Sequence, residues 1–256
     1  MTTMTVAPRF PLYRKEAKYE FLRLLRARTF TLATIGFPVM FYLLFGVVNS
    51  RGHEVLSASK YLMATYAIFG LVGCSLFGIS VTLSNERNLG WLEVKQASPM
   101  PAPAYLVAKL LTAFAFATII FGLLLTLGLT LGHVTITGKE IVNLALTILG
   151  GVLPFASMGL MLAMVVPPQA APGILNLIYL PMSFCSGLWM PIKVLPHWLQ
   201  TVAPVWPTYH LAQIALGSIG FPMNGTVGGH AAALAGFTVL MLGLAIVLFR
   251  RNAVNS

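Results

Sequence analysis

Residues 61–101 read YLMATYAIFGLVGCSLFGISVTLSNERNLGWLEVKQASPMP. Residues 61–83 carry no charged side chain. An apolar run of this length can cross the roughly 30 Å hydrocarbon core of a bilayer as a helix. Residues 85–101 then introduce four charged groups, a tryptophan and two prolines. The stretch therefore predicts a membrane-spanning helix followed by a polar segment at one membrane surface.

The composition of the whole chain agrees with a membrane protein. Hydrophobic residues make up 57% of the chain and charged residues only 9%, with a mean hydropathy of +0.84. Soluble domains carry about 25% charged residues. The net charge of +10 does not indicate a nucleic-acid partner, because seven of the sixteen Lys and Arg residues precede residue 29. Basic segments beside apolar runs are typical of membrane topology.

Six apolar runs are long enough to be spans. They cover approximately 29–48, 61–83, 106–131, 141–166, 170–190 and 231–249. Only the residues VPPQAAPG at 166–173 separate the fourth run from the fifth, so these two runs predict a tight helical hairpin. We therefore predict an all-α membrane protein of six transmembrane helices, with residues 1–256 forming a single transmembrane domain.

The distribution of basic residues predicts the orientation. With the N-terminus in the cytoplasm, twelve Lys and Arg residues lie inside and four lie outside, as the positive-inside rule requires. An even number of spans also places the C-terminus in the cytoplasm. Lys109, near the start of the third run, is expected to extend its side chain to the membrane surface.

The N-terminal segment 1–28 has an amphipathic pattern. Tyr13, Ala17, Phe21, Leu24 and Leu25 share one helical face, and most basic side chains fall elsewhere. A basic amphipathic helix before a span predicts an elbow lying in the inner headgroup plane. The alternative is a charge cluster that only sets topology. The segment contains no small-residue cleavage pattern of a signal peptide.

Residues 191–222 predict a re-entrant region on the outer face. The run at 209–221 is apolar but too short to cross a bilayer. Trp198, Trp206 and Tyr209 are residue types that settle at membrane interfaces, and His210 is expected to form hydrogen bonds there. These four residues are candidates for an outer gate. The alternative is an ordinary aromatic-rich loop.

Several kinds of chemistry are missing from the sequence. The six predicted spans contain no Asp or Glu, which disfavours an ion-coupled carrier. The sequence has no nucleophile elbow and no metal-ligand pair at helical spacing, which disfavours a membrane enzyme. It also lacks the Gly-rich loop that binds nucleotide phosphates. If ATP drives this protein, the ATPase is a separate subunit.

The charged segment predicts a short cytoplasmic helix at about 85–98. Ser84 or Asn85 could cap its start, and Pro99, Pro101 and Pro103 would end it. The tryptophan, together with these helix start and stop signals, favours a helix that docks on another protein over a plain loop.

The segment ERNLGWLEVKQASPMP resembles the Glu-Arg-x-x-Gly-x-x-Glu…Ser/Thr-Pro signature of ABC type-2 exporter permeases. Its GWL…K…SPMP form resembles the drug- and antibiotic-resistance branch of that family. The family's helix at this place contacts the ATPase. The resemblance assigns ATPase coupling to Glu86, Arg87, Gly90, Trp91, Leu92, Glu93, Lys95, Ser98 and Pro99.

The resemblance also implies partners. Two permease copies, expected as a homodimer, would pair in a bacterial inner membrane among its lipids. Two cytoplasmic ABC ATPase subunits would bind ATP and Mg²⁺, so this chain itself would bind no cofactor and catalyse no hydrolysis.

The implied function is the export of hydrophobic or amphipathic compounds such as drugs, antibiotics, peptides or lipid-like molecules. A permease for polysaccharide or glycolipid is the alternative within the family. Polar side chains inside the spans are candidates to line the path: Thr34, Tyr42, Asn176, Tyr179 and Ser183.

Overall fold

A computed structural model describes residues 9–48, 53–90 and 102–254, and within these ranges the chain is helical with no β-strand. This confirms the predicted all-α class. The helices are α1 (Arg9–Arg26), α2 (Arg28–Phe41, continued by a π-helical turn Tyr42–Val47), α3 (His53–Asn88), α4 (Ala102–Thr130), α5 (Gly138–Val165), α6 (Ala171–Cys185), α7 (His197–Val202), α8 (Pro207–Ser218) and α9 (Val227–Val254).

Five helices of the described residues are long and apolar enough to cross a membrane. They are Arg28–Val47, Ala58–Asn88, Ala104–Thr130, Gly138–Val165 and Val227–Arg251. The predicted fifth span, 170–190, is a helix only from Ala171 to Cys185, about 22 Å long at 1.5 Å per residue. Gly187 then takes a left-handed φ of 79°, which ends the helix. The crossing of α6 therefore stays a prediction.

Helix α3 is the centre of the bundle. Almost all of its most apolar stretch is buried, and the helix packs against α2, α4, α5, α6 and α8. Small residues allow the closest of these approaches. A methyl group at Gly159 of α5 would lie only 3.1 Å from the Leu76 carbonyl oxygen of α3 and 3.2 Å from that of Ser75. Glycine there lets the two backbones come into near contact, as is common between membrane helices.

Helices α3 and α5 run parallel, and polar contacts join them near both ends. At one end Lys60 Nζ lies 2.7 Å from Glu140 Oε1. Glu140 also completes a capping box with Thr137, in which each side chain binds the other residue's backbone N–H. This end of the bundle is called the Glu140 end. At the other end lie Glu86 and Arg87, and this is called the Glu86 end.

Short helices fill residues 191–222, where a re-entrant region was predicted. Pro207 opens α8, and a leucine of α8, Leu211, lies directly over Gly151 in the middle of α5. The chain then returns to the Glu140 end, where Phe221 packs edge-on against Tyr61 with ring centroids 5.7 Å apart. Helix α8 therefore lies alongside one half of α5.

Helix α1 ends at Arg26, and α2 starts at Arg28 after a break at Ala27. Helix α1 packs mainly on α4, where Phe21 of α1 contacts Phe116 of α4 with ring centroids 5.5 Å apart. The predicted apolar face does not coincide with the face that packs on the bundle. Leu24 is buried, but Leu25 is exposed, and Glu20 is buried as well. The reason is an ionic partner for Glu20 on α4.

Candidate functional site: a buried charged cluster at the Glu86 end

A lysine and a glutamate meet between α1 and α4. Lys109 Nζ lies 2.7 Å from Glu20 Oε1, and the two residues are 3% and 5% exposed. Burying a lone charge is costly, so each side chain needs the other. Lys109 therefore contacts α1 instead of extending into solvent, and its position relative to the membrane surface stays a prediction.

Three further groups surround the Lys109 ammonium. The ammonium donates to Thr82 Oγ1 of α3 at 2.8 Å and lies 3.5 Å from Glu86 Oε2. It also stands 4.8 Å from the centre of the Tyr105 ring, within the range of a cation–π contact. One side chain of α4 thereby contacts both α1 and α3.

Glu86 joins the same cluster from the last turn of α3. Arg23 of α1 donates to its Oε1 at 2.6 Å, and the Tyr105 hydroxyl of α4 donates to its Oε2. Partial burial disfavours the charged form of Arg23. The nearby carboxylates of Glu20 and Glu86 outweigh this effect and raise the pKa of Arg23. Two carboxylates and two cations balance, so the cluster is formally neutral.

Arg87 makes a different connection. Its guanidinium donates to the carbonyls of Met164 and Val166, where α5 ends. The last carbonyls of a helix have no intrahelical partner and carry partial negative charge, so a cation is well placed there. Arg87 therefore fixes the end of α3 to the end of α5.

The start of the predicted helix at Ser84 or Asn85 is wrong, because α3 continues without interruption to Asn88. Ser84 and Asn85 do not cap a helix; both side chains donate back to the Val81 carbonyl of the preceding turn. The helix ends at Asn88, and two residues later Gly90 takes a φ of 70° that is readily accessible to glycine. Glu86 and Arg87 consequently belong to a membrane-spanning helix.

The helices extend beyond the predicted apolar runs, which themselves contain no acid. Glu86 lies in the last turn of α3, and Glu140 lies in the first turn of α5. The other predicted coupling residues fall outside the described residues, and their role stays a prediction. They are Trp91, Leu92, Glu93, Lys95, Ser98 and Pro99.

Sequence reasoning missed Glu20, Arg23, Thr82, Tyr105 and Lys109 as members of one cluster. The available signal was a carboxylate at Glu20, on the same helical face as Ala17 and Leu24, together with a single lysine inside the third apolar run. An acid on an apolar helical face indicates a buried partner of opposite charge.

The predicted path residues do not meet in one place. Three are buried in the chain's own core: the Tyr42 hydroxyl lies 2.8 Å from Ser59 Oγ, Tyr179 donates to the Phe69 carbonyl, and Ser183 Oγ has no hydrogen-bond partner among the described residues. Thr34 is half-buried and Asn176 is exposed on the helix surface. Their role in a path stays a prediction.

The predicted outer-gate residues occupy the short helices at the Glu140 end. Trp198 is 65% exposed, whereas Trp206 is half-buried and Tyr209 is buried. His210 forms hydrogen bonds, as expected, and one of them joins it to His230.

Five helices of the described residues are long and apolar enough to cross a bilayer, and they define an integral membrane protein. The chain belongs to the ABC-2 type transporter family, whose model matches residues 14–220. It is therefore the membrane-embedded subunit of an ABC transporter, and membership of the family implies an ATPase partner. A curated relative in Bacillus subtilis (strain 168), named "Putative transport permease YvfS", is 26% identical over 197 residues. The alignment covers 77% of this chain and 80% of the relative.

Proposed function

We propose that this permease exports hydrophobic or amphipathic compounds, driven by ATP hydrolysis on a separate subunit. The observation that carries the proposal is the charged cluster. Glu86 and Arg87 join α3 to α1, α4 and α5 immediately before the segment 91–101. A force applied to that segment would reach four helices through short contacts that are at least partly buried.

The proposed assembly has two copies of this chain and two ATPase subunits. ATP and Mg²⁺ belong to the ATPase, and the 85–98 segment is its docking site, through Trp91 above all. The excess of basic residues at the Glu86 end favours a cytoplasmic position for that end and for both termini. The membrane is proposed to be a bacterial inner membrane.

A groove of about 430 Å³ between α5, α8 and α9 supports an apolar cargo. Gly150, Gly151 and Ala235 leave it open, and its lining is almost entirely apolar. Its two hydroxyls are already committed, because Thr147 donates to the Asn143 carbonyl and Thr238 donates to the Leu234 carbonyl. Such a surface can bind hydrocarbon but offers no free hydroxyl donor to a sugar.

The test uses inside-out vesicles that contain this chain with or without its ATPase. A panel of fluorescent amphipathic dyes is added, and accumulation is followed after addition of ATP or of an ion gradient. We expect accumulation only with ATP and only when both subunits are present. An ATPase with an inactivated nucleotide site is the matched control and should give none. Transport that needs an ion gradient but no ATPase would contradict the proposal.

A further inference from the structure

Two histidines from different helices face each other near the Glu140 end. The Nδ1 atoms of His210 on α8 and His230 on α9 are 2.8 Å apart. Each ring is held from its other side by a backbone carbonyl. His210 Nε2 lies 2.9 Å from the Pro204 oxygen, and His230 Nε2 lies 2.6 Å from the Asn224 oxygen. This arrangement determines where the protons must be.

A neutral imidazole carries one N–H, and a carbonyl oxygen can only accept. The two carbonyls therefore require a proton on each Nε2. With both rings neutral, two Nδ1 lone pairs would then face each other at hydrogen-bond distance. With both rings charged, two Nδ1–H groups would face each other. Only one extra proton gives an N–H···N bond and satisfies all four nitrogens.

We propose that His210 and His230 form a binding site for a single proton, which joins α8 to the start of α9. The imidazolium donates from Nδ1, and the neutral ring accepts at Nδ1. The site is separate from the charged cluster and independent of the proposed cargo.

The surroundings disfavour a second proton. Burial lowers the pKa of His210, the Pro204 carbonyl opposes that shift by accepting the Nε2–H, and the charge of a protonated His230 lowers it further. Tyr209 packs edge-on against both imidazoles and adds no charge.

The neighbouring elements supply no carboxylate to stabilise a second charge. Helix α5 has no ionisable side chain between residues 141 and 165. Lys60 of α3 and Glu140 of α5 pair with each other, and the Tyr61 hydroxyl donates to the Gly187 carbonyl. Of α6, only Tyr179, bound to the Phe69 carbonyl, and Cys185 are ionisable. Among the described residues, the pair is therefore compensated by carbonyl dipoles alone.

A shared proton makes the α8–α9 contact strongest in the middle of the histidine range. Raising the pH empties the site, and lowering the pH charges both rings, so the contact weakens in both directions. The two steps belong to the pair and not to either residue. The proposed function puts the Glu140 end outside the cell, where external pH would act on it.

The first measurement is nitrogen NMR on the full chain in lipid nanodiscs, with ¹⁵N-labelled histidine. At a pH near 6.5, the ordinary histidine pKa, we expect one protonated and one unprotonated Nδ1 with coupling across the hydrogen bond. Neutral rings carrying Nδ1–H, or two independent titrations without coupling, would overturn the proposal.

The second measurement is the thermal unfolding midpoint against pH. The wild-type chain should show a maximum, with a fall of about 2–4 °C on each side. In His210→Asn, the amide N–H takes the place of Nδ1–H and donates to neutral His230. The unfolding midpoint of this variant should still decrease at low pH, but it should no longer decrease at high pH.

His197→Asn is the matched control, because His197 is an exposed histidine on the nearby α7, and this variant should keep the wild-type maximum. A His210→Asn profile equal to wild type would overturn the shared proton. A maximum that appears only with added Zn²⁺ and vanishes with a chelator would assign the two Nδ1 atoms to a metal, and would overturn it too.

Discussion

Lys109 illustrates how a single residue acts in this protein. Its ammonium is bound by Glu20, Thr82 and Glu86, so three helices contribute to one buried charge. A buried ion pair adds little net stability over an apolar pair, yet removing one partner is expensive because the other charge stays buried. Lys109 therefore orients α1, α3 and α4 relative to one another more than it stabilises the bundle.

The first prediction compares breaking the pair with removing it. Among the described ion pairs, Lys109→Met leaves Arg23 as the only cation beside Glu20 and Glu86, and we expect a loss of about 3–5 kcal/mol in stability. The double variant Lys109→Met with Glu20→Gln removes one charge of each sign and should recover most of that loss. Thermal unfolding in nanodiscs measures both.

Lys193→Met is the control, because Lys193 is exposed, and it should unfold at the wild-type temperature. If Lys109→Met unfolds there as well, or if the double variant is the less stable of the two, the cluster does not hold the helices as described.

At the scale of elements, the sequence predicts the helices better than their contacts. Runs of apolar residues are local signals, so α2, α3, α4, α5 and α9 could be located from the sequence. The pairing of Glu20 with Lys109 is not local, since 89 residues separate them. It depends on how far each helix is rotated about its axis, and helices that are apolar all round give little indication of that rotation.

The same limit explains two smaller errors. The end of α3 was predicted too early because Ser84 and Asn85 are good cap residues. They bond back to Val81 instead, since Glu86 and Arg87 gain partners only if α3 continues. The meeting of His210 with His230 depends on the return of the chain after α8, which spacing along the sequence does not show.

The second prediction uses two glycines of α5 as a matched pair. A methyl group at Gly159 would lie 3.1–3.2 Å from two carbonyl oxygens of α3, whereas one at Gly150 meets nothing within 4 Å. Gly159→Ala should therefore push α5 away from α3 and lower the unfolding temperature. Gly150→Ala should be neutral or stabilising, by up to about 1 kcal/mol from helix propensity. Equal effects of the two variants would contradict the close approach of α3 and α5.

At the scale of the whole molecule, α3 and α5 are joined at both ends. Lys60 and Glu140 pair at one end, and Arg87 binds the last carbonyls of α5 at the other. Between these ends, Gly159 of α5 lets the two helix backbones come into close contact. Since α1 and α4 bind Glu86, a displacement beginning just after Gly90 moves a unit of four helices. The proposed coupling thus needs a contact with the ATPase and a separate connection to the helices.

The last prediction separates these two requirements. Trp91→Ala should greatly reduce the amount of ATPase that co-purifies with the tagged chain, because Trp91 is proposed to dock. It should leave the unfolding temperature of the isolated chain unchanged. Arg87→Ala retains the docking segment, so the ATPase should still co-purify. It removes the bond to the end of α5, however, so ATP should no longer drive dye accumulation.

Trp198→Ala is the control for docking, because Trp198 is an exposed tryptophan at the Glu140 end, and it should change neither the amount of co-purified ATPase nor the unfolding temperature. If Trp91→Ala retains the ATPase while Arg87→Ala loses it, then Arg87 itself is the docking contact. The bond from Arg87 to the end of α5 would then have to open when the ATPase binds.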